Sequence, residues 1–134
     1  MMISIPLSRT SLVPVQAESL RFQALYLFIK RLNFLSVSCA LGFRRIGTAQ
    51  FHGGPIAAFI DIVGDFAVGM AVGGGVPTIN LRIDYLKPAV GTLLTGTARV
   101  RRTGRTVALV DVDVHDEKQG LVAVGRGTYS PQRG

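Results

Sequence analysis

The sequence predicts an α+β domain, one long helix followed by an antiparallel β-meander. Three observations predict it. Residues 52–75 form one apolar run, opened by His52-Gly53-Gly54-Pro55 and closed by Gly73-Gly74-Gly75. From residue 78 the apolar spacing changes to strict alternation, interrupted by turn signals. The chain has 134 residues, which is room for one domain of ordinary size.

Residues 1–15 hold two prolines and several Ser/Thr residues without periodicity, and read as a poorly ordered arm. Residues 16–130 read as a single domain. Within residues 16–32, Leu20, Leu25, Phe28, Ile29 and Leu32 recur at helical spacing, with Arg21, Lys30 and Arg31 on or beside the wet side. That is an amphipathic helix. Residues 33–48, with Phe34, Val37 and the Leu41-Gly42-Phe43 break, suggest one or two short strands.

The next segment is clearer. Proline suits a first helical turn, where its missing N–H costs nothing, and glycine just past the end is a common stop. At 100° per residue, Ile56, Phe59, Ile60, Val63, Phe66, Ala67 and Met70 share one face. Gly54, Ala57, Ala58, Asp61, Asp65, Val68 and Gly69 share the other. The bulky face is expected beneath a sheet, and the small one against another backbone. Asp61 and Asp65 then need a purpose.

Strands are expected at residues 78–85, ending near Pro88, and at 92–101, 106–115 and 121–129. Turns at 102–105 and 116–120 separate the last three, and residues 130–134 read as a tail. Asp111 and Asp113, two apart on one strand face, read as solvated.

Composition removes several classes of function. Hydrophobic residues are 48% and charged ones 17%, against about 25% charge in an average domain, so disorder is excluded for most of the chain. So little charge suggests a surface covered by a partner subunit. The lone cysteine, Cys39, and two histidines cannot build an internal disulfide or a structural zinc site, so disulfide scaffolds and zinc modules are out; no metal is expected and, separately, no resident cofactor. No uninterrupted run of 18 apolar residues occurs, so no membrane span is expected. Val15-Gln16-Ala17 loosely resembles a cleavage site, but residues 1–14 lack a basic start and an apolar core, and the chain is expected to be cytoplasmic.

The formal charge is +7. Residues 1–50 carry six basic residues and Glu18, a net of +5; the rest carries nine basic and seven acidic residues, a net of +2. This balance favours an anionic partner: nucleic acid, a membrane surface, or a phosphorylated small molecule such as coenzyme A. Nucleic acid is disfavoured, because no aromatic platform accompanies the arginines and tryptophan is absent.

No G-x-S-x-G elbow, P-loop or H-E-x-x-H occurs. Gly73 to Gly75 follow the helix, so they stop it and do not cradle phosphate. What remains is His52-Gly53-Gly54 at a helix start, with Asp61 nine residues after the histidine. A helix start presents unpaired N–H groups and partial positive charge, and glycine lets a ligand oxygen approach them. Such a site can stabilise a carbonyl oxygen that becomes negative in acyl transfer. A carboxylate two turns deeper could activate water or attack the acyl carbon. Asp61 as a polar group at an interface is the plain alternative.

The run HGGPIAAFID (52–61) continues as GVPTINLRIDYLKPA (75–89), GTLLTGTARVRRTGRTVALVDVDV (91–114) and VAVGRGTYS (122–130). In order and spacing it resembles the hotdog-fold acyl-CoA thioesterases of the phenylacetate-degradation type, over about 60% of the chain. The resemblance implies a long helix wrapped by a curved antiparallel sheet, paired into homodimers or homotetramers with active sites between subunits. It implies acyl-CoA as substrate. The Gly53 N–H would polarise the thioester carbonyl, and Asp61 would be general base or nucleophile. Thr78 would reach the site from a neighbouring subunit. His52, which would shape the turn, and Gly54 would line the substrate site, and Arg102, Arg105 and Arg126 would meet the phosphates of coenzyme A.

The sequence departs from the family upstream of His52. Ile46 stands where members often carry an asparagine that orients the water or acid, and Ala49 where they carry glycine, with Gln50 nearby. A non-catalytic hotdog protein that binds acyl-CoA or serves assembly is therefore the alternative to a hydrolase.

Overall fold

The apolar run that opens at His52 folds as helix α1, Gly53–Val72, in the computed structural model, which describes residues 34–39 and 50–132. His52 precedes it in an extended conformation, φ −73° and ψ 151°, and offers no side-chain cap. Gly73 ends it at φ +78°, donating its N–H to the Gly69 carbonyl at 2.8 Å. That left-handed turn is cheap only for glycine.

Around α1 lie β1 (Phe34–Cys39), β2 (Thr78–Tyr85), β3 (Leu94–Thr103), β4 (Ala108–Asp116) and β5 (Leu121–Tyr129). They form one antiparallel sheet in the order β1-β3-β4-β5-β2. The helix connection thus carries the chain to the far edge, and the meander β3–β5 fills the space between. The tail continues this pairing briefly, with the Ser130 and Gln132 N–H groups donating to Pro77 and Gly75 carbonyls at 2.9 Å each. The arm, the 16–32 helix and most of the 33–48 strand region lie outside the described residues; β1 falls within the last.

Sheet alternation makes the core. Ala98 and Val100 of β3, Ala108, Val110, Val112 and Val114 of β4, and Ala123 and Tyr129 of β5 point at α1 and are buried. Leu94 joins them from the start of β3. Two glycines let the helix sit directly on sheet backbone. A Cβ at Gly96 would press on Phe59 and Val63, and one at Gly125 on Ile60.

The helix is rotated from its expected setting. Its buried stripe is Ile56, Phe59, Ile60, Val63, Gly64, Ala67 and Val68. Phe66, expected on the bulky inner face, is 58% exposed, while Val68, expected on the small face, is fully buried. A helix apolar almost all round carries little amphipathic information to set its rotation. The gaps at Gly96 and Gly125 set it instead. By length and mean hydropathy (1.7) α1 could also cross a bilayer; here one side of it fills the core of the sheet.

Candidate functional site

Asp61 stands two turns into α1, at the border of the buried stripe and half-buried. Two hydroxyls meet it. Thr78, the first residue of β2, donates from Oγ1 to Asp61 Oδ1 at 2.9 Å. Tyr129, the last residue of β5, shares its hydroxyl proton between the Asp61 backbone carbonyl at 3.1 Å and Oδ1 at 3.2 Å. The donors are themselves cross-strand partners, since Thr78 pairs with Tyr129 in the β2–β5 register. Among the described residues no side chain donates to Oδ2. The resemblance brings Thr78 from a neighbouring subunit; in this structure it meets the Asp61 of its own chain.

Glycines make the slot for the Tyr129 ring, which has no solvent exposure. A Cβ at Gly64 would strike the hydroxyl, and one at Gly127 the ring. Burial first, then the Asp61 charge and hydrogen bond, raise the phenol well above its ordinary range. It therefore keeps its proton and remains a donor. Asp65, one turn beyond Asp61, is raised from the usual carboxylate value by burial and then by repulsion from Asp61.

The start of α1 forms the second part. Gly53 is half-buried, His52 and Gly54 are exposed, and His52 makes no side-chain cap to the first turn. Tyr85, at the far end of β2, donates its hydroxyl to the Gly53 carbonyl at 2.7 Å. A Cβ at Gly53 would stand 3.2 Å from that ring. A bond from the Phe51 N–H to the Ala89 carbonyl, 3.0 Å, and a bridge between Gln50 and Val90 tie the entering chain to the loop after β2. A groove of about 530 Å³ opens here, and Lys87 lines it with His52, Gly53 and Tyr85. The sequence reading did not single out Lys87 or Tyr129, which the structure places beside the groove and on Asp61. Nothing in their local pattern points to those positions.

The arginines are dispersed. Arg102 and Arg105 sit on the β3–β4 hairpin, exposed, with no acidic partner among the described residues. Through the register Thr103–Ala108, Ala108–Tyr129 and Tyr129–Thr78, that hairpin adjoins the Asp61 end of the sheet, not the Gly53 end. Arg126 points away from the helix. Its Nε and Nη2 donate to Asp111 at 2.6 and 3.0 Å, and Arg101 Nε donates to Asp111 at 2.7 Å. Asp111, expected solvated, is therefore a half-buried bridge between two arginines; Asp113 is exposed as expected. Ile46 and Ala49 lie outside the described residues. Among those described, no group of three or more His, Cys, Asp or Glu side chains could hold a metal ion.

The chain thus holds a carboxylate with one oxygen fixed, and an uncapped helix start with positive character. They are not adjacent. Eight residues of helix rise separate Gly53 from Asp61, about 12 Å.

The family pattern described as thioesterase superfamily matches residues 50–123. The chain is 42% identical over 52 residues to the medium/long-chain acyl-CoA thioesterase YigI of Escherichia coli K12, covering 39% of this chain and 34% of that protein. It spans less than two thirds of the length of such curated relatives. Among solved structures, the BH2602 protein of Bacillus halodurans, crystallised with CoA, superposes with a TM-score of 0.66 at 26% identity, over 74% of this chain and 68% of that one. The E. coli PaaI protein from the phenylacetic acid degradation operon superposes with a TM-score of 0.68, over 90% and 98%; at 22% identity that likeness concerns the fold.

Proposed function

Because the chain belongs to the thioesterase superfamily, we propose that it hydrolyses acyl-CoA thioesters in a homodimer whose active sites are shared between two chains. The observation that carries this reading is the Asp61 carboxylate, held at Oδ1 by Thr78 and Tyr129 and, among the described residues, given no donor at Oδ2. The thioester carbonyl lies against the Gly53 N–H, where the helix start favours the negative oxygen of the tetrahedral intermediate. Asp61 takes a proton from water as the water oxygen bonds to the acyl carbon. The carbon–sulfur bond then breaks, and the CoA sulfur leaves with the proton from Asp61. Direct attack by the carboxylate, followed by hydrolysis of the anhydride, reaches the same products.

Distance supports sharing between chains. An N–H donor, a C=O bond and an oxygen in attack position together span about 7 Å, and the hydrogen bond from an attacking water to a carboxylate extends this to about 10 Å. Both fall short of the roughly 12 Å of helix between Gly53 and Asp61. A second copy with its helix antiparallel supplies the Gly53 end to each Asp61. Exposed Ile62 and Phe66 on α1 and exposed Ile79 on the edge strand β2 give such a copy apolar surface to cover. Lys87, Arg102 and Arg105 carry the charge suited to the CoA phosphates, whereas Arg126 is engaged by Asp111.

Thiol release from a panel of aryl and aliphatic acyl-CoAs tests the reading, beginning with the medium and long chains of YigI's name. Turnover in the wild type that falls at least about 100-fold in Asp61→Asn is expected. Full activity in that variant contradicts the mechanism. The alternative, binding without catalysis, is favoured by Ile46 at the family's asparagine position. It predicts a folded dimer that binds CoA and releases no thiol.

A further inference from the structure

The thioesterase reading takes the Tyr129 hydrogen bond as a contact of Asp61 and gives the phenol itself no task. Tyr129 lies beyond the stretch that matches the family pattern, residues 50–123. A phenol with no solvent exposure, in a slot kept open by Gly64 and Gly127, is an expensive way to fill a core that β-branched residues fill elsewhere. Its ring cannot swing, and its hydroxyl donates to both the backbone carbonyl and Oδ1 of the same residue, Asp61.

We infer that Tyr129 is a positioning residue that, with its strand partner Thr78, fixes the Asp61 carboxylate by Oδ1 and so makes Oδ2 the oxygen that reacts. The inference rests on the reading that Asp61 carries out hydrolysis. An aspartate rotates about two side-chain bonds, and both of its oxygens are equivalent when free. Two O–H donors converging on Oδ1 remove that equivalence. The shared proton on the Asp61 carbonyl ties the phenol to the helix backbone, so carboxylate and helix are held in one frame. Oδ2, with no donor among the described residues, keeps its lone pairs for the proton of the attacking water or for the acyl carbon. Thr78 alone could not do this, because it is exposed at the edge of the sheet, whereas Tyr129 is locked in the core.

The test is Tyr129→Phe, which keeps the ring and removes the donor, assayed beside Asp61→Asn and the double variant. Tyr129→Phe is expected to lower kcat about 10- to 100-fold, the loss of one hydrogen bond to a charged group, with KM within about twofold. In the Asp61→Asn background the same change is expected to cost nothing further. A purely structural role would instead reduce both backgrounds by the same factor, and that result overturns the inference. Wild-type kcat in Tyr129→Phe beside a collapsed Asp61→Asn overturns it too, while leaving the hydrolase reading intact. Full activity in Asp61→Asn removes the reading itself, and the role of Tyr129 with it.

Discussion

Asp111 shows what single residues disclose and what they conceal. Hydrogen bonds from Arg126, with those from Arg101, hold its carboxyl below the usual carboxylate value. A carboxyl whose folded value is lowered stabilises the fold above its unfolded value, near 3.9, and loses that contribution as pH falls through the folded value. Asp111→Asn is therefore expected to lower stability at pH 7 by about 0.5–1 kcal/mol, since the arginines are largely solvated. The gap between variant and wild type should shrink as pH falls from the unfolded value through the lowered folded one, and narrow in 1 M salt. Urea midpoints across pH measure it, and a gap that does not shrink on acidification contradicts this assignment. Alternation alone put Asp111 on the outer face, but its partners are ten and fifteen residues away in sequence. Local pattern cannot supply such pairs. The same limit hid Tyr129, 68 residues from the aspartate it touches. Gly53 and Asp61 could be placed, as candidates, because both lie on one helix with its start marked by His-Gly-Gly-Pro.

Among the elements, α1 and the meander were the readable parts. The bracket from Gly53 to Gly73 places both ends of the helix, and strict alternation places β2, β4 and β5 within about two residues. The rotation of α1 was not readable, because the glycines that set it lie on other strands. Gly125 is the sharper of these, since its Cβ would meet the branched Ile60 side chain, which has little freedom to withdraw. Gly125→Val is expected to cost about 1–3 kcal/mol of overpacking, roughly 4–12 °C in Tm. Gly75→Ala, whose added Cβ meets nothing within 4 Å, is the control and should leave Tm unchanged. Equal Tm in the valine variant and the wild type would mean that the helix does not rest on that backbone.

For the whole molecule, the sequence declared its class through low charge and a single apolar helix, and the sheet order follows from that helix crossing to the far edge. What one chain cannot declare is how Gly53 and Asp61 would meet in the proposed dimer. Subunit mixing tests this most directly. Gly53→Pro removes the donor in a helix that tolerates it, since proline suits a first helical turn and His52 already holds the extended conformation a following proline requires, with the added Cβ pressing on the Tyr85 ring. Asp61→Asn removes only the carboxylate function. Each variant alone should be inactive toward an acyl-CoA that the wild type hydrolyses. Unfolded and refolded together, they are expected to regain about a quarter of the wild-type rate, because random pairing gives half mixed dimers and each has one intact site of two. A mixture as inactive as its components would contradict the shared site, and place Gly53 and Asp61 in separate tasks.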